Sequence, residues 1–348
     1  MRLIAFSTLL FPFALVAQTM VGTSPENRTA LMEEFTAVNC GNCPAGHVIA
    51  ESLQSTHGNN LVVVGINAGG LAVPGAGQPD LRTTEGTALL NHFGVNATPK
   101  AVIGRNAYMG NTTLSSGAWG AAVSAVVQGS SPVNIGFSST FDPGPRLLTV
   151  NVELYYTDNS PGGSDYITVL LKEDHIVAYQ SDYGPNGPQA NYDHLNVLRA
   201  YLTPLWGDEV TTPTQGTLVT RTYTYTVPAN FDIANCSTVA FVGEYQGTVY
   251  QAREVMADGG ITTAIEAMTA NPIGIPFPVP ANDLLYIPLH MGPGGLIELL
   301  DLTGKVLRRQ PAQTGQEVTQ INVSGISSGI YLVKLAGTQS SRLVVVQH

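Results

Sequence analysis

Along residues 27–129 the apolar positions change period several times. Apolar runs at Leu31 to Val38, Leu61 to Ile66 and Ala101 to Tyr108 read as strands, and Pro44 to Ser55, Thr84 to Phe93 and Ser115 to Gln128 read as helices. That order predicts an α/β unit. Beyond Pro132 the pattern becomes strand-like: Leu148, Val150, Val152 and Leu154 alternate with Thr149, Asn151 and Glu153, a strand with one buried face. Further strands are expected at Val133 to Ser139, Tyr166 to Leu171, Ile176 to Tyr179, Thr220 to Val227, Thr238 to Tyr245 and Thr248 to Glu254, a set that fits a sandwich. Within it, Tyr192 to Leu202 reads as a helix with Leu195, Leu198 and Leu202 on one side. A linker, Ile261 to Pro280, ends in a Pro-rich run and precedes six more strand-like segments between Leu284 and Val346. Asp301-Leu302-Thr303-Gly304 marks a tight hairpin turn among them.

Composition supports a mostly β, multidomain chain. Its 348 residues exceed one ordinary core, only 11% are charged, and 37 glycines and 22 prolines favour short strands joined by turns. The formal net charge is −10 and no segment is rich in Lys or Arg, which argues against nucleic acid as a partner. Arg2 followed by the apolar run Leu3 to Val16 reads as a signal peptide cleaved near Ala17. No cysteine precedes Cys40, so a lipid anchor is not expected, and no later segment is apolar for long enough to span a bilayer. A secreted or surface-attached monomer is the expected state.

Candidate chemistry centres on Cys40 and Cys43, a Cys-Gly-Asn-Cys pair at the junction of the first strand and first helix. A helix beginning at Cys40 would favour a thiolate there through its unpaired N–H groups and dipole. Two other readings stand beside a redox pair. One is a static disulfide in an oxidising compartment. The other is a metal site in which His47, one helical turn beyond Cys43, joins both sulfurs; it lacks an evident fourth ligand, and His47 also reads as a solvent-facing helix residue. His175, Asp193, His194 and Arg199 offer acid–base groups, or simply polar residues bonded to one another at a sheet edge. Cys236, between Ile233 and Val239, suits a buried core position. Residues Gly69 to Arg82, rich in Gly, Ala and Pro, insert a loop that is either a lid or slack.

Three groups of residues resemble known families. The Cys40-Gly41-Asn42-Cys43-Pro44 motif, Glu34-Phe35 six residues upstream and Asn96-Ala97-Thr98-Pro99 downstream resemble the thioredoxin fold. By that resemblance Glu34 assists proton transfer, Pro99 is cis beside the disulfide, and Thr98 pairs with a substrate backbone. Asn39 stands where that family usually carries an aromatic residue. Glu173 to Gln180, Tyr192-Asp193-His194 and Val197 to Ala200 resemble the family of outer membrane protein 28, which joins a thioredoxin-like domain to a β domain. Phe277 to Asp283, Gly304-Lys305-Val306 and Ser328 to Val333 are similar to the type IX secretion sorting domain, with Val279 in place of the usual Asn between two prolines.

The resulting expectation is a signal peptide over 1–17, a thioredoxin-like domain over 18–130, an immunoglobulin-like β-sandwich over 131–260, a linker over 261–280 and a small C-terminal sandwich over 281–348. The implied function is thiol–disulfide exchange with protein thiols or disulfides, using Cys40, Cys43, Glu34, Thr98 and Pro99, without cofactor or metal. The type IX secretion machinery is the implied export partner. The alternative is a non-catalytic, adhesin-like surface protein with a structural disulfide.

Overall fold

A computed structural model describes residues 20–259, 261–262, 276–289, 295–301, 304–312, 318–336 and 341–348. The signal-peptide segment and most of the linker lie outside the described residues. The described residues fall into two compact units, divided between residues 266 and 267.

The first unit opens with β1 (Ala30–Thr36), α1 (Cys43–His57), β2 (Leu61–Asn67), α2 (Thr84–His92), β3 (Lys100–Ile103), β4 (Thr113–Leu114) and α3 (Trp119–Val127). β1 and β2 run parallel, as strands joined by a helix do, while β3 is antiparallel to β1 and β4 to β3. The strand expected over Ala101 to Tyr108 stops at Ile103, because Gly104 and Arg105 take left-handed backbone with φ of 60° and 49°. Arg105 turns its guanidinium inward onto Glu33, at 2.9 and 2.7 Å, beneath the rings of Phe93, Trp206 and Phe241.

The chain continues through β5 (Val133–Asp142), β6 (Leu147–Tyr156), β7 (Asp165–Glu173), β8 (Ile176–Gln180), β9 (Gln189–His194), β10 (Val197–Tyr201), β11 (Asp208–Val210), β12 (Leu218–Thr226), β13 (Cys236–Gly243), β14 (Val249–Met256) and β15 (Ile261–Thr262). The boundary expected at 130–131 does not separate two sheets. One sheet runs β14-β13-β7-β10-β2-β1-β3-β4, with β11 beside β7, so strands from both sides of that boundary share one ladder. A second sheet, β12-β6-β5-β15, covers part of it. Ile167, Val169 and Leu171 of β7 pack with Leu148, Val150, Val152 and Leu154 of β6, whereas Leu170 packs with Leu31, Val62 and Leu89. The two-residue alternation of β7 therefore serves two cores at once. A third cluster, with Met32, Val63 and Ile103, lies under Ala50 of α1 and Trp119 and Val123 of α3.

Residues 192–202 are not helical. They form the end of β9, a turn, and β10. Asn196 takes φ of 58° between the strands, and a bulge between Leu198 and Ala200 sends Leu198 to one core and Ala200 to another. The turn and bulge interrupt the two-residue alternation, which leaves leucines at helix-like intervals. β8 and β9 form a separate hairpin that carries the chain back toward the cysteines.

Where β2 meets β10 the ladder is brief, with Val197 opposite Gly65, and polar groups complete the joint. Gly65 N donates to Asn196 O at 2.6 Å, and a Cβ at Gly65 would stand 3.3 Å from that oxygen. Buried Lys172 donates to Asn196 Oδ1 at 2.7 Å and Val63 O at 3.2 Å and pairs with Glu254 at 2.8 Å. Asn196 also exchanges side-chain bonds with Gln54 of α1, and its N–H donates to Asp174 at 2.5 Å.

The second unit comprises β16 (Leu284–Pro288), β17 (Gly295–Leu300), β18 (Val306–Ala312), β19 (Val318–Asn322), β20 (Gly329–Leu335) and β21 (Ser341–Val346), in a β16-β19 pair and a β18-β17-β20-β21 sheet. Leu285, Ile297, Leu299, Ile321, Val333 and Val344 fill its core. Gly304 N donates to Asp301 O, closing the turn that the sequence marks there, with Gly304 at φ of 87°.

Asn196→Gly keeps the left-handed backbone and removes only the side-chain bonds, so it is expected to destabilise the first unit by about 2 kcal/mol. Asn196→Ala adds the left-handed penalty, about 1 kcal/mol more. Urea unfolding followed by tryptophan fluorescence checks both, because Trp119 and Trp206 are the two tryptophans and both belong to this unit.

Candidate functional site

The cysteines sit where β1 gives way to α1. After Thr36 the chain turns through two backbone bonds, Cys40 N to Ala37 O at 3.0 Å and Cys43 N to Cys40 O at 3.2 Å. The helix starts at Cys43, one residue before the expected Pro44, which lies in its first turn; Cys40 therefore precedes the helix by three residues. Cys40 and Cys43 are joined in a disulfide. The Thr98–Pro99 bond is cis, and Cys40 Sγ lies 3.4 Å from Thr98 O. Gly46 allows this approach: a Cβ there would stand 2.9 Å from Pro99 Cβ and 3.0 Å from Glu34 Oε1. Five residues distant in sequence, Glu34, Cys40, Cys43, Thr98 and Pro99, are thus gathered at one end of α1.

Glu34 is buried, and its Oε1 has no hydrogen-bond partner. Burial, with a smaller contribution from the Glu51 carboxylate, pushes its pKa up to about 8. It is therefore a protonated acid at neutral pH. Beside it lies a cavity of about 20 Å³, room for a single water, lined by Glu34, Thr36, His47, Glu51, Tyr192 and His194 among others. His47 is not solvent-facing: its Nε2 bonds to Thr36 Oγ1 at 2.7 Å and its Nδ1 to Tyr192 OH at 2.8 Å. Burial, then the neighbouring His194, pushes its pKa down to about 4. The His194 value is likewise lowered to about 4, by burial first. Both imidazoles are neutral at neutral pH, and among the described residues no cluster of three or more His, Cys, Asp or Glu is placed to hold a metal ion.

Two segments close over the disulfide. The inserted loop is packed rather than slack: Ala72 joins Ala37, Cys40 and Cys43 in one buried cluster. Asn39 holds it, with its N–H on Leu71 O at 3.0 Å and its Nδ2 on Val73 O at 2.7 Å. From the other side comes the strap after β8. Buried Gln180 donates to Ala37 O and Cys40 O, Ser181 N to Val38 O, and Tyr183 N to Gly41 O. The Tyr183 ring rests on Gly41, where a Cβ would stand 2.4 Å from it. As a result Cys40 is 3% exposed and Cys43 is fully buried.

The four residues considered as an acid–base cluster do not converge. His175 and Asp193 pair at 2.9 Å on the surface, His194 lines the cavity, and Arg199 forms an ion pair with Glu173 at 3.2 Å with its guanidinium 3.9 Å above the Phe231 ring. Cys236 is buried in the sandwich core, and burial pushes its pKa up to about 12. Sequence reasoning did not find Gln180, Tyr183, Ala72 or the His47–Tyr192 bond. The glycine between the cysteines was the available signal for Tyr183, since it leaves room for a ring; Gln180 ends the Glu173 to Gln180 segment that resembles the outer membrane protein 28 family, but nothing local tells that it bonds the cysteine loop.

Fold and site together define a mostly β protein with few helices, several sheets and a covered Cys-x-x-C disulfide beside a cis-proline. Residues 86–258 match the family of outer membrane protein Omp28, and residues 276–347 match the secretion system C-terminal sorting domain. The chain is an Omp28-related protein ending in a sorting domain, and these two matches support a secreted or cell-surface location. Among solved structures, HBP35 of Porphyromonas gingivalis is similar at 17% identity and a TM-score of 0.54, over 93% of this chain and 99% of that one, which shows a shared fold. An Omp28 lipoprotein domain from Porphyromonas gingivalis aligns at 22% identity over 37% of this chain and 89% of its own, with a TM-score of 0.26. No curated protein matches the chain in sequence. Among the described residues no helix is long and apolar enough to cross a membrane.

The buried groups give stability a maximum between two slopes. Glu34, raised in the folded state, stabilises fully below its unfolded value near 4.5, and that contribution is lost as pH rises toward 8. His47 and His194, lowered from 6.5 to about 4, withdraw stability as pH falls through that interval. Urea unfolding at pH 5, 6, 7 and 8 is expected to show Glu34→Gln without the alkaline loss, which in the wild type amounts to about 1 kcal/mol per pH unit at its steepest.

Proposed function

We propose that this is an exported thiol–disulfide exchange protein whose thioredoxin-like part spans β1 to α3 and is extended by the β strands that follow. The β-α-β-α-β-β-α order, with a Cys-x-x-C at the first strand–helix junction, supports that reading. The observation that carries the exchange chemistry is the grouping of the Cys40–Cys43 disulfide, the cis Thr98–Pro99 bond and a buried, protonated Glu34.

In the exchange a substrate thiolate attacks Cys40 Sγ. A mixed disulfide forms as the Cys40–Cys43 bond breaks, and Cys43 leaves as a thiolate that takes a proton from the Glu34 carboxyl. The second substrate thiol, as thiolate, then attacks the first substrate sulfur in the mixed disulfide, forming the substrate disulfide as the bond to Cys40 Sγ breaks and Cys40 leaves as thiolate. The substrate leaves oxidised and the pair reduced, with two electrons transferred. Thr98, preceding the cis-proline, offers its backbone to the substrate chain. The type IX secretion machinery, reading the C-terminal unit, is the export partner.

One observation favours a second reading. A disulfide with one cysteine 3% exposed and the other fully buried also suits a structural crosslink in a non-catalytic, adhesin-like surface protein.

The reduction potential of the full chain, equilibrated against graded glutathione buffers, separates the two. Exchange predicts a value between about −120 and −270 mV. A bond poised below about −300 mV, or one that resists reduction until the first unit unfolds, selects the structural reading.

A further inference from the structure

The disulfide is closed from two directions by parts of the chain outside the Cys-x-x-C motif. On one side Ala72 shares a buried cluster with Ala37 and the two cysteines, and the Asn39 side chain fastens its loop through Val73 O at 2.7 Å. On the other, the strap lies along residues 37–41, and Tyr183 sets its ring on Gly41. The covers differ from a core in how they are held. Leu71 and Val73 flank Ala72 at 53% and 48% exposure, and Tyr183 is 77% exposed, so each rests on a few hydrogen bonds and one small contact. Such segments open at low cost compared with global unfolding.

An attacking thiolate must reach Cys40 Sγ, which the closed arrangement leaves almost no room to do. We propose that Asn39 and Tyr183 are specificity-determining residues: they fasten two clasps that exclude small thiols from Cys40 and admit a protein dithiol able to displace them. This rests on the exchange reading. A protein substrate brings backbone groups to replace the bonds made by Leu71, Val73 and Tyr183, and apolar side chains to cover the surface they vacate. A small thiol brings neither. The Asn39 position, aromatic in the family that the motif resembles, serves here as a latch. The glycine at 41 is a seat for the ring, because any side chain would collide with it.

The test uses the full oxidised chain and dithiothreitol as a small dithiol probe. Reduction of the Cys40–Cys43 bond is followed by acid quench, alkylation under denaturing conditions and intact mass, with circular dichroism confirming the fold. Asn39→Ala and Tyr183→Ala are each expected to accelerate reduction by about tenfold over the wild type, since access enters the rate directly. Gly41→Ala, which pushes the ring off its seat from beneath, should accelerate it similarly, and adding Tyr183→Ala to it should give no further gain. Folded variants that react at the wild-type rate overturn the proposal. So does acceleration in Gly41→Ala alone with Tyr183→Ala unchanged, which would locate the effect in the cysteine loop. If the bond resists dithiothreitol in every variant until unfolding, the exchange reading itself fails and the clasps fail with it; a wild type reduced as fast as its variants removes the clasps only.

Discussion

A buried ammonium group sets the terms for the first unit. Lys172 lies at the centre of the large sheet with no solvent around it, and a desolvated charge is tolerated only when acceptors surround it. Three do: Val63 O from β2, Asn196 Oδ1 from the turn before β10, and the Glu254 carboxylate from β14. Satisfying Lys172 therefore fixes Asn196. Asn196 in turn fixes Gln54 on α1 and Gly65 on β2, elements that carry Cys43 and part of the cavity wall. The hairpin β8–β9 hangs from the same joint, through Asp174 and Asn196, and brings Tyr192 to His47, Gln180 to the Cys40 carbonyl and, just beyond β8, Tyr183 to Gly41.

This linkage makes the later β strands part of the site rather than an appended module. The Omp28-matched region begins within the α/β part, at residue 86, and ends at residue 258, after β14. That span includes Thr98 and Pro99 as well as the strap and the Tyr192 hydroxyl. A disulfide built mostly by residues 34–46 is thus covered by the loop at 71–73 and by residues beyond 170. Glu34 becomes a neutral acid because the sheet and α1 bury it, and His47 stays neutral because Tyr192 and His194 close the space around it.

The elements legible in the sequence were those with an uninterrupted period. β6 alternates cleanly over ten residues, and its pattern alone gives its burial. α1 and α2 match their expected spans within about three residues, as do most strands of both units. Failure came where a backbone irregularity reset the period. The bulge at Leu198/Ala200 and the left-handed Asn196 made two strands look like one helix. The expected boundary near residue 130 missed the shared sheet because a long-range ladder contact such as Val197 with Gly65 leaves no mark in local composition.

For the candidate site the division is similar. Sequence determined the chemistry on offer: two cysteines at exchange spacing, a proline after a threonine, a glutamate six residues upstream, and a terminal unit that reads as a sorting domain. Those facts are local, carried by residue type and short intervals. Only the tertiary structure decided the state of that chemistry, because burial and proximity are properties of packing between distant segments. It buried Glu34 without a partner for Oε1, turned His47 toward Tyr192, clustered Ala72 with the two cysteines and laid Tyr183 on the glycine between them.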